Sequence, residues 1–240
     1  IMYIIKRKRI SLILIALMLG IFVYSYENQK LNTDEQTQST TATPISGKVI
    51  VVDAGHGVPD EGAQSSRGTT EAETNLKISL KLQNLLEQSG CTVILTRSDE
   101  NAIYDLDKTT LREKKISDIR NRVKIGNNAS ADLFVSIHLN KIPQQQYWGW
   151  QCFYNSKNEK SVNLAKKIQT NLNESIQKDN KRVAMKLDTV YIMKHVEIPI
   201  SIVECGFLSN PEEEQQLLDD EYQNKLAWGI FNGIIEYFNE

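Results

Sequence analysis

The sequence predicts an α/β fold: a largely parallel, mixed and twisted sheet of about six strands, with helices on both faces, in a single domain. Two observations carry this. Short, continuous apolar runs such as VIVV and LFVSI alternate along the chain with longer amphipathic stretches, and strands alternating with helices imply a mainly parallel sheet covered on both sides. The apolar runs lack an alternating polar face, as expected of strands buried on both sides.

The chain opens on a different kind of segment. Lys6-Arg7-Lys8-Arg9 precede an apolar run from Ile10 to Tyr26. That run is at the short end of the roughly 17–25 residues that cross a bilayer, and the preceding positive charge predicts a cytoplasmic N-terminus with the remainder exported. Residues 1–26 are therefore read as a membrane anchor or signal segment. A retained anchor is favoured over a cleaved signal because small residues are scarce near the end of the run. The expected location is extracytoplasmic, on the cytoplasmic membrane. Residues 27–46 are polar and nearly free of large apolar groups, which predicts a flexible tether. Residues 47–240 form the folded domain.

Within that domain KVIVVDA is the first strand. EAETNLKISLKLQNLLEQSG follows as a helix whose stripe is Leu76, Leu80, Leu82, Leu85 and Leu86, with Gly90 as its stop. CTVILT is the second strand, LREKKISDIRNRVKIGNNAS a helix with a polar face, and DLFVSIHL the third strand. WGWQCFYN is expected near a sheet edge. SVNLAKKIQTNLNESIQ is the next helix, IPISIVECG a further buried strand, and YQNKLAWGIFNGIIEYF the closing helix.

Lys and Arg number 28 against 30 Asp and Glu, a formal charge of −2, which gives no support to nucleic-acid binding. Cys91, Cys152 and Cys205 are too few and too scattered for a disulfide framework, and no C-x-x-C pair is present. Cys91 reads as a buried thiol. A nucleophilic Cys205 is disfavoured because the adjacent Glu204 raises a thiol pKa, the wrong direction for activation.

In open α/β sheets, ligands bind beyond the carboxyl ends of the strands. Three of the strands end in residues suited to metal-assisted hydrolysis: VIVVDAGHG delivers His56, LFVSIHLN delivers His138, and ISIVECGF delivers Glu204. The loop after the first strand contains Gly55, Gly57, Gly62 and Gly68, which allow it to turn and return Glu71 towards His56. Hydrolytic zinc takes three protein ligands from His and carboxylate and leaves a fourth position for water. Two histidines and Glu71 fill that set, while Glu204 at the end of an apolar strand suits a general base. From spacing alone these histidines are equally compatible with hydrogen-bonded loop residues, and Glu204 with a salt bridge. His195 is the alternative third ligand, though it lies at no strand end, and Glu73 is the alternative carboxylate. Asp53 either orients a liganding imidazole or makes a loop contact. Trp148 and Trp150 either stack on glycan or pack at the sheet edge.

At these residues the stretch from Lys48 to Phe238 resembles the zinc-dependent N-acetylmuramoyl-L-alanine amidases of bacterial cell walls. Four signatures stand in order: DAGHG with His56, GTTEAETNL with Glu71 four residues before Asn75, SADLFVSIHLN with His138, and IVECGFLSNPEE with Glu204. The resemblance implies that His56, Glu71 and His138 bind one zinc ion per chain and that Glu204 is the catalytic glutamate. It departs from the family where Ala54 replaces a usual Pro, Val58 a Gly and Ala72 a Lys. LREKKISDIRNRVK, GWQCFYNSKNEKS and the short N-terminal anchor are similar to the germination-specific amidases of endospore formers, which act on spore cortex peptidoglycan and help generate its muramic lactam.

The implied reaction hydrolyses the amide between the lactyl group of N-acetylmuramic acid and L-alanine of the stem peptide. Glu204 takes the water proton and returns it to the leaving amine. The implied partners are peptidoglycan and, through the anchor, the membrane; the need for an activating protein stays open. Two rivals share these residues: a zinc peptidase cutting within the stem peptide, and a non-catalytic wall-binding protein.

Overall fold

Four parallel strands run from one edge of the sheet to past its middle, as the buried apolar runs require. The computed structural model describes residues 43–239, together with Met18, Gly20, Ile21, Tyr24 and Ser25. In chain order the elements of the folded unit are β1 (Val49–Ala54), α1 (Glu71–Gln88), β2 (Thr92–Leu95), α2 (Leu111–Asn128) and β3 (Leu133–Asn140). They continue with β4 (Gln151–Tyr154), α3 (Glu159–Ile176), β5 (Met185–Lys186), α4 (Tyr191–His195), β6 (Ile200–Phe207), α5 (Pro211–Leu218) and α6 (Asp220–Phe238). The strand order is β2-β1-β3-β6-β4-β5. Neighbours from β2 to β6 are parallel, β4 runs antiparallel to β6, and β5 is parallel to β4. The fold is therefore the predicted α/β sheet of six strands, mixed at one end.

Strand alternation sorts the core into two layers. Ile50 and Val52 of β1 face the layer of Ile78 and Leu82 from α1, Leu164 and Ile168 from α3, and Ile230 and Ile234 from α6. Val51, between them, faces the other layer with Val123 of α2, Phe134 of β3 and Met193 of α4. Helix α6 lies close on α3 because Gly233 presents no side chain: a Cβ there would stand 2.5 Å from the Ile168 Cα. Helix α2 begins with a capping box, in which the Thr110 side chain accepts from the Glu113 amide and the Glu113 carboxylate accepts from the Thr110 amide.

The structure changes four details of the sequence reading. The buried residues of α1 are Glu71, Ala72, Thr74, Asn75, Ile78, Ser79, Leu82 and Leu86, whereas Leu76, Leu80 and Leu85 are only half-buried. The helix turns its polar residues inward at its first two turns because they serve the strand ends. Strand β4 lies one place in from the edge, and the short strand β5, not foreseen, takes the edge itself. Cys91 is buried but precedes β2, its thiol donating to the Ile45 carbonyl at 3.1 Å. Most of the predicted tether and most of the Ile10-to-Tyr26 run lie outside the described residues, and among the described residues no helix is long and apolar enough to cross a membrane. The last four tether residues belong instead to the folded unit, because Ile45 is fully buried in the core and the Thr43 hydroxyl donates to the Ser89 carbonyl.

Candidate metal centre

His56 just beyond the carboxyl end of β1, and His138 and Glu204 within the carboxyl-terminal halves of β3 and β6, come to one place, and α1 returns Glu71 between the two imidazoles. One donor atom each from His56, Glu71 and His138 lies within 4.8 Å of the others. Glu71 Oε1 is 2.9 Å from His138 Nδ1 and 3.3 Å from His56 Nε2. The two imidazoles meet edge-on, with ring centroids 5.0 Å apart.

The orientation of Glu71 is fixed by backbone. Its Oε2 accepts from the Ala63 amide at 2.8 Å and its Oε1 from the Leu139 amide at 3.1 Å. The glycine-rich loop fits against the three side chains with no room to spare. A Cβ on Gly55 would fall 2.3 Å from His138 Cε1, and one on Gly62 would fall 2.6 Å from Glu71 Oε2. His56 itself adopts φ +62°, a left-handed conformation rare for a residue with a side chain.

The local electrostatics favour a cation. Burial alone would raise the Glu71 carboxyl and lower the His56 imidazolium. Instead, the two imidazoles hold Glu71 well below the usual carboxylate range. The Asp60 and Glu71 carboxylates lift His56 to about 9. A buried carboxylate set between two imidazole nitrogens, one donor atom of each within 4.8 Å of the others, suits a divalent ion.

Glu204 is half-buried and lines, with both histidines, a cavity of about 230 Å³. Its Oε2 is sealed from solvent and has no hydrogen-bond partner among the described residues. Burial pushes its carboxyl up to about 7, with Glu71 adding to the rise against the two imidazoles. An unpartnered carboxylate with a pKa near neutrality, facing a cavity, suits proton transfer.

Several sequence-predicted residues fall elsewhere. Asp53 does not orient a histidine: it accepts from Thr96, Ser136 and Arg122 at 2.6–2.7 Å. Asp60 takes the place expected of Asp53, its Oδ2 3.3 Å from His56 Nδ1 and 3.0 Å from Lys115 Nζ. Glu73 is exposed and pairs with Lys77. His195 stacks on Tyr191 at the end of α4, outside the cluster. Trp150 is fully buried, donating to Asn173, and Trp148 is capped by the Lys178 ammonium. The Cys205 thiol is buried and pushed well above its ordinary value, by burial first and then by Cys152 and Glu204. The sequence reading missed Asp60, Arg97 and Arg122. Asp60 stands four residues beyond His56, and Arg97 stands two residues beyond the end of β2; those positions were the available signals.

The family described as N-acetylmuramoyl-L-alanine amidase matches residues 50–236. The chain belongs to the N-acetylmuramoyl-L-alanine amidase family. It is 34% identical to the germination-specific N-acetylmuramoyl-L-alanine amidase of Bacillus subtilis over 98% of this chain and 97% of the relative. The CwlD amidase of Clostridioides difficile, solved in complex with the GerS lipoprotein, is 42% identical. The match has a TM-score of 0.78 and covers 80% of this chain and 99% of that one. A second amidase, from Clostridium difficile 630, is 28% identical with a TM-score of 0.71, covering 81% and 98% of the two chains. Membership makes the chain an amidase whose substrate is peptidoglycan. It also sets aside the stem-peptide peptidase and the non-catalytic wall-binding protein.

Proposed function

We propose that this amidase is zinc-dependent and processes spore cortex peptidoglycan during sporulation, cleaving N-acetylmuramic acid from L-alanine on the way to muramic lactam. The observation that carries the zinc reading is the convergence of one donor atom each from His56, Glu71 and His138 beside the unpartnered Glu204 carboxylate. The first three are the ligands of one zinc ion, and Glu204 is the general base. A bound zinc supplies acidification of a water in its open position and polarisation of the scissile carbonyl. The Glu204 carboxylate takes the proton of the attacking water and passes it to the leaving amine of L-alanine, which its place in the cavity lining allows. Glu71 is held by two backbone amides and Asp60 fixes the His56 ring, so neither ligand has to be ordered when substrate arrives.

The cortex role is supported by the germination-specific relative, matched over nearly the whole of both chains. The structure of a relative bound to a lipoprotein supports an exported accessory protein as partner. Residues 1–26 hold the folded domain outside the cytoplasmic membrane, with the polar stretch between them and Thr43 as the tether.

Mass spectrometry of muropeptides after digestion of purified cortex tests the reaction. Release of stem peptides with a free L-alanine amine is expected, in step with zinc loading. New termini within the peptide, or undiminished release by zinc-free protein, would reject it.

A further inference from the structure

Behind the metal centre, the carbonyls of three consecutive residues at the end of β1 and just past it all accept from side chains. The Ala54 carbonyl accepts from Arg97 Nε at 2.8 Å and from Arg122 Nη1 at 2.7 Å. The Gly55 carbonyl accepts from Arg97 Nη2 at 3.1 Å and from Asn75 Nδ2 at 3.2 Å. The His56 carbonyl accepts from Arg122 Nη2 at 2.6 Å. Both guanidiniums are buried, 4% and 3% exposed, so these bonds are shielded from competing water.

The two arginines are fixed independently. Arg122 on α2 is held by Asp118 and Asp53, whereas Arg97, beyond β2, touches only backbone carbonyls, the other two being Ala72 and Asp99. Two like charges converging on one carbonyl are costly to bury, and burial together with Arg122 pulls Arg97 down to about 10. It remains charged at neutral pH. Such an arrangement persists where the segment it holds has a task that needs it. Here the segment is the one that puts His56 at φ +62° and slides the Gly55 backbone against the His138 ring.

We infer that Arg97 and Arg122 are positioning residues for the metal centre, fixing the 54–56 backbone so that the His56 imidazole is aimed at Glu71 before any ion arrives. This rests on the zinc reading above. Arg97 also holds the carbonyl of Ala72, next to Glu71, and so sets the spacing of two ligands from one side chain.

The test uses the full-length protein and reads zinc affinity by competition with a chelator, alongside the melting temperature. The variants are Arg97→Lys, Arg97→Met, Arg122→Lys and His56→Ala, with Ile168→Val as a core control of stability loss alone. Supporting outcomes for Arg97→Met and Arg122→Lys are zinc binding weakened on the order of ten- to a hundred-fold, with Arg97→Lys partly restoring it and Ile168→Val unchanged. At saturating zinc, kcat of the Arg97 variants should fall with KM changed less than about twofold, because Arg97, unlike Arg122, is not in the cavity lining. If Arg122→Lys does not fold, the two Arg97 variants carry the test, since they leave the Asp53 pair intact. Loss of zinc in His56→Ala with affinities within twofold of wild type in the arginine variants overturns the positioning role alone. Undiminished zinc binding in His56→Ala overturns the zinc reading beneath it.

Discussion

His138 and Glu204 are direct register partners on the adjoining parallel strands β3 and β6. Side chains at paired positions of parallel strands project to the same face, so the proposed ligand and the proposed base are set side by side by the sheet itself. The register shifts between His138 and Asn140, ending regular pairing at the point where the strands give way to the site. One rigid element thereby fixes the spacing of His138 and Glu204.

Exchanging Glu204 for Gln should separate metal binding from catalysis. The amide keeps the shape but cannot accept the proton of water at neutral pH, and loss of a general base costs on the order of a hundred- to ten-thousand-fold in rate. Zinc stoichiometry should stay near one per chain. Glu71→Gln, which removes an anionic donor placed between two imidazoles, should instead lower zinc occupancy. Measuring zinc content beside muropeptide release for both variants checks the pair; zinc loss in Glu204→Gln with retention in Glu71→Gln would exchange their roles.

The raised Glu204 pKa predicts a pH dependence of stability in the zinc-free protein. Folded, the carboxyl titrates at about 7 against an ordinary value of 4.5, so between those values the native state holds a proton the unfolded chain has released. Stability therefore falls as pH rises from 4.5 to 7, by up to about 3 kcal/mol, and the whole penalty is present above pH 7. His56, raised to about 9, adds stability that is present below 6.5 and lost towards pH 9. The difference between wild type and Glu204→Gln isolates the first effect. Thermal melts at pH 5 and pH 8 should show wild type losing more than the variant; equal losses would contradict a raised Glu204.

Cys205→Ala should leave amidase activity within about twofold. The thiol is fully buried and held protonated, the opposite of what a nucleophile needs. Truncation leaves a small void, expected to cost about 1 kcal/mol in an urea melt. A loss of turnover beyond the loss of folded protein would bring the thiol back into the chemistry.

The residues at strand ends were readable because position on an α/β sheet is itself a chemical signal. His56, His138 and Glu204 each follow an apolar run too short and too continuous to be anything but a buried strand. Glu71 was reachable because the glycine-rich loop before it has to turn back. What stayed hidden depends on side-chain direction within irregular backbone. Asp53 and Asp60 are both near His56 in sequence, and only the left-handed turn at His56 decides that Asp60 faces the ring while Asp53 turns to Arg122. The inward polar face of α1 was missed for a related reason. Counting leucines assumes that the buried side is the apolar one, whereas Glu71 and Asn75 are buried to serve the site, Glu71 between the imidazoles and Asn75 on the Gly55 carbonyl. Among the tryptophans, burial of Trp150 follows from its place beside β4, which tryptophan content alone does not reveal.

Gly55→Ala should abolish the metal centre while leaving the sheet standing. Gly55 has no left-handed backbone to protect, so the substitution adds one methyl group and nothing else. That methyl would lie 2.3 Å from His138 Cε1, 2.4 Å from its Nε2 and 2.7 Å from its Nδ1, inside any permissible contact. The backbone of Gly55 is held by its amide to the Ile137 carbonyl and by the Arg97 and Asn75 bonds, so the His138 ring is the part that must swing away. It would then leave Glu71 Oε1, now 2.9 Å from it. At Gly62 the same change meets two obstacles, φ +72° and a contact of 2.6 Å to Glu71 Oε2, and should cost stability as well as zinc. Circular dichroism, melting temperature and zinc affinity measured together discriminate the two. Gly55→Ala should keep its spectrum and lose its zinc, Gly62→Ala should lose part of both, and wild-type zinc affinity in Gly55→Ala would place the metal away from His138.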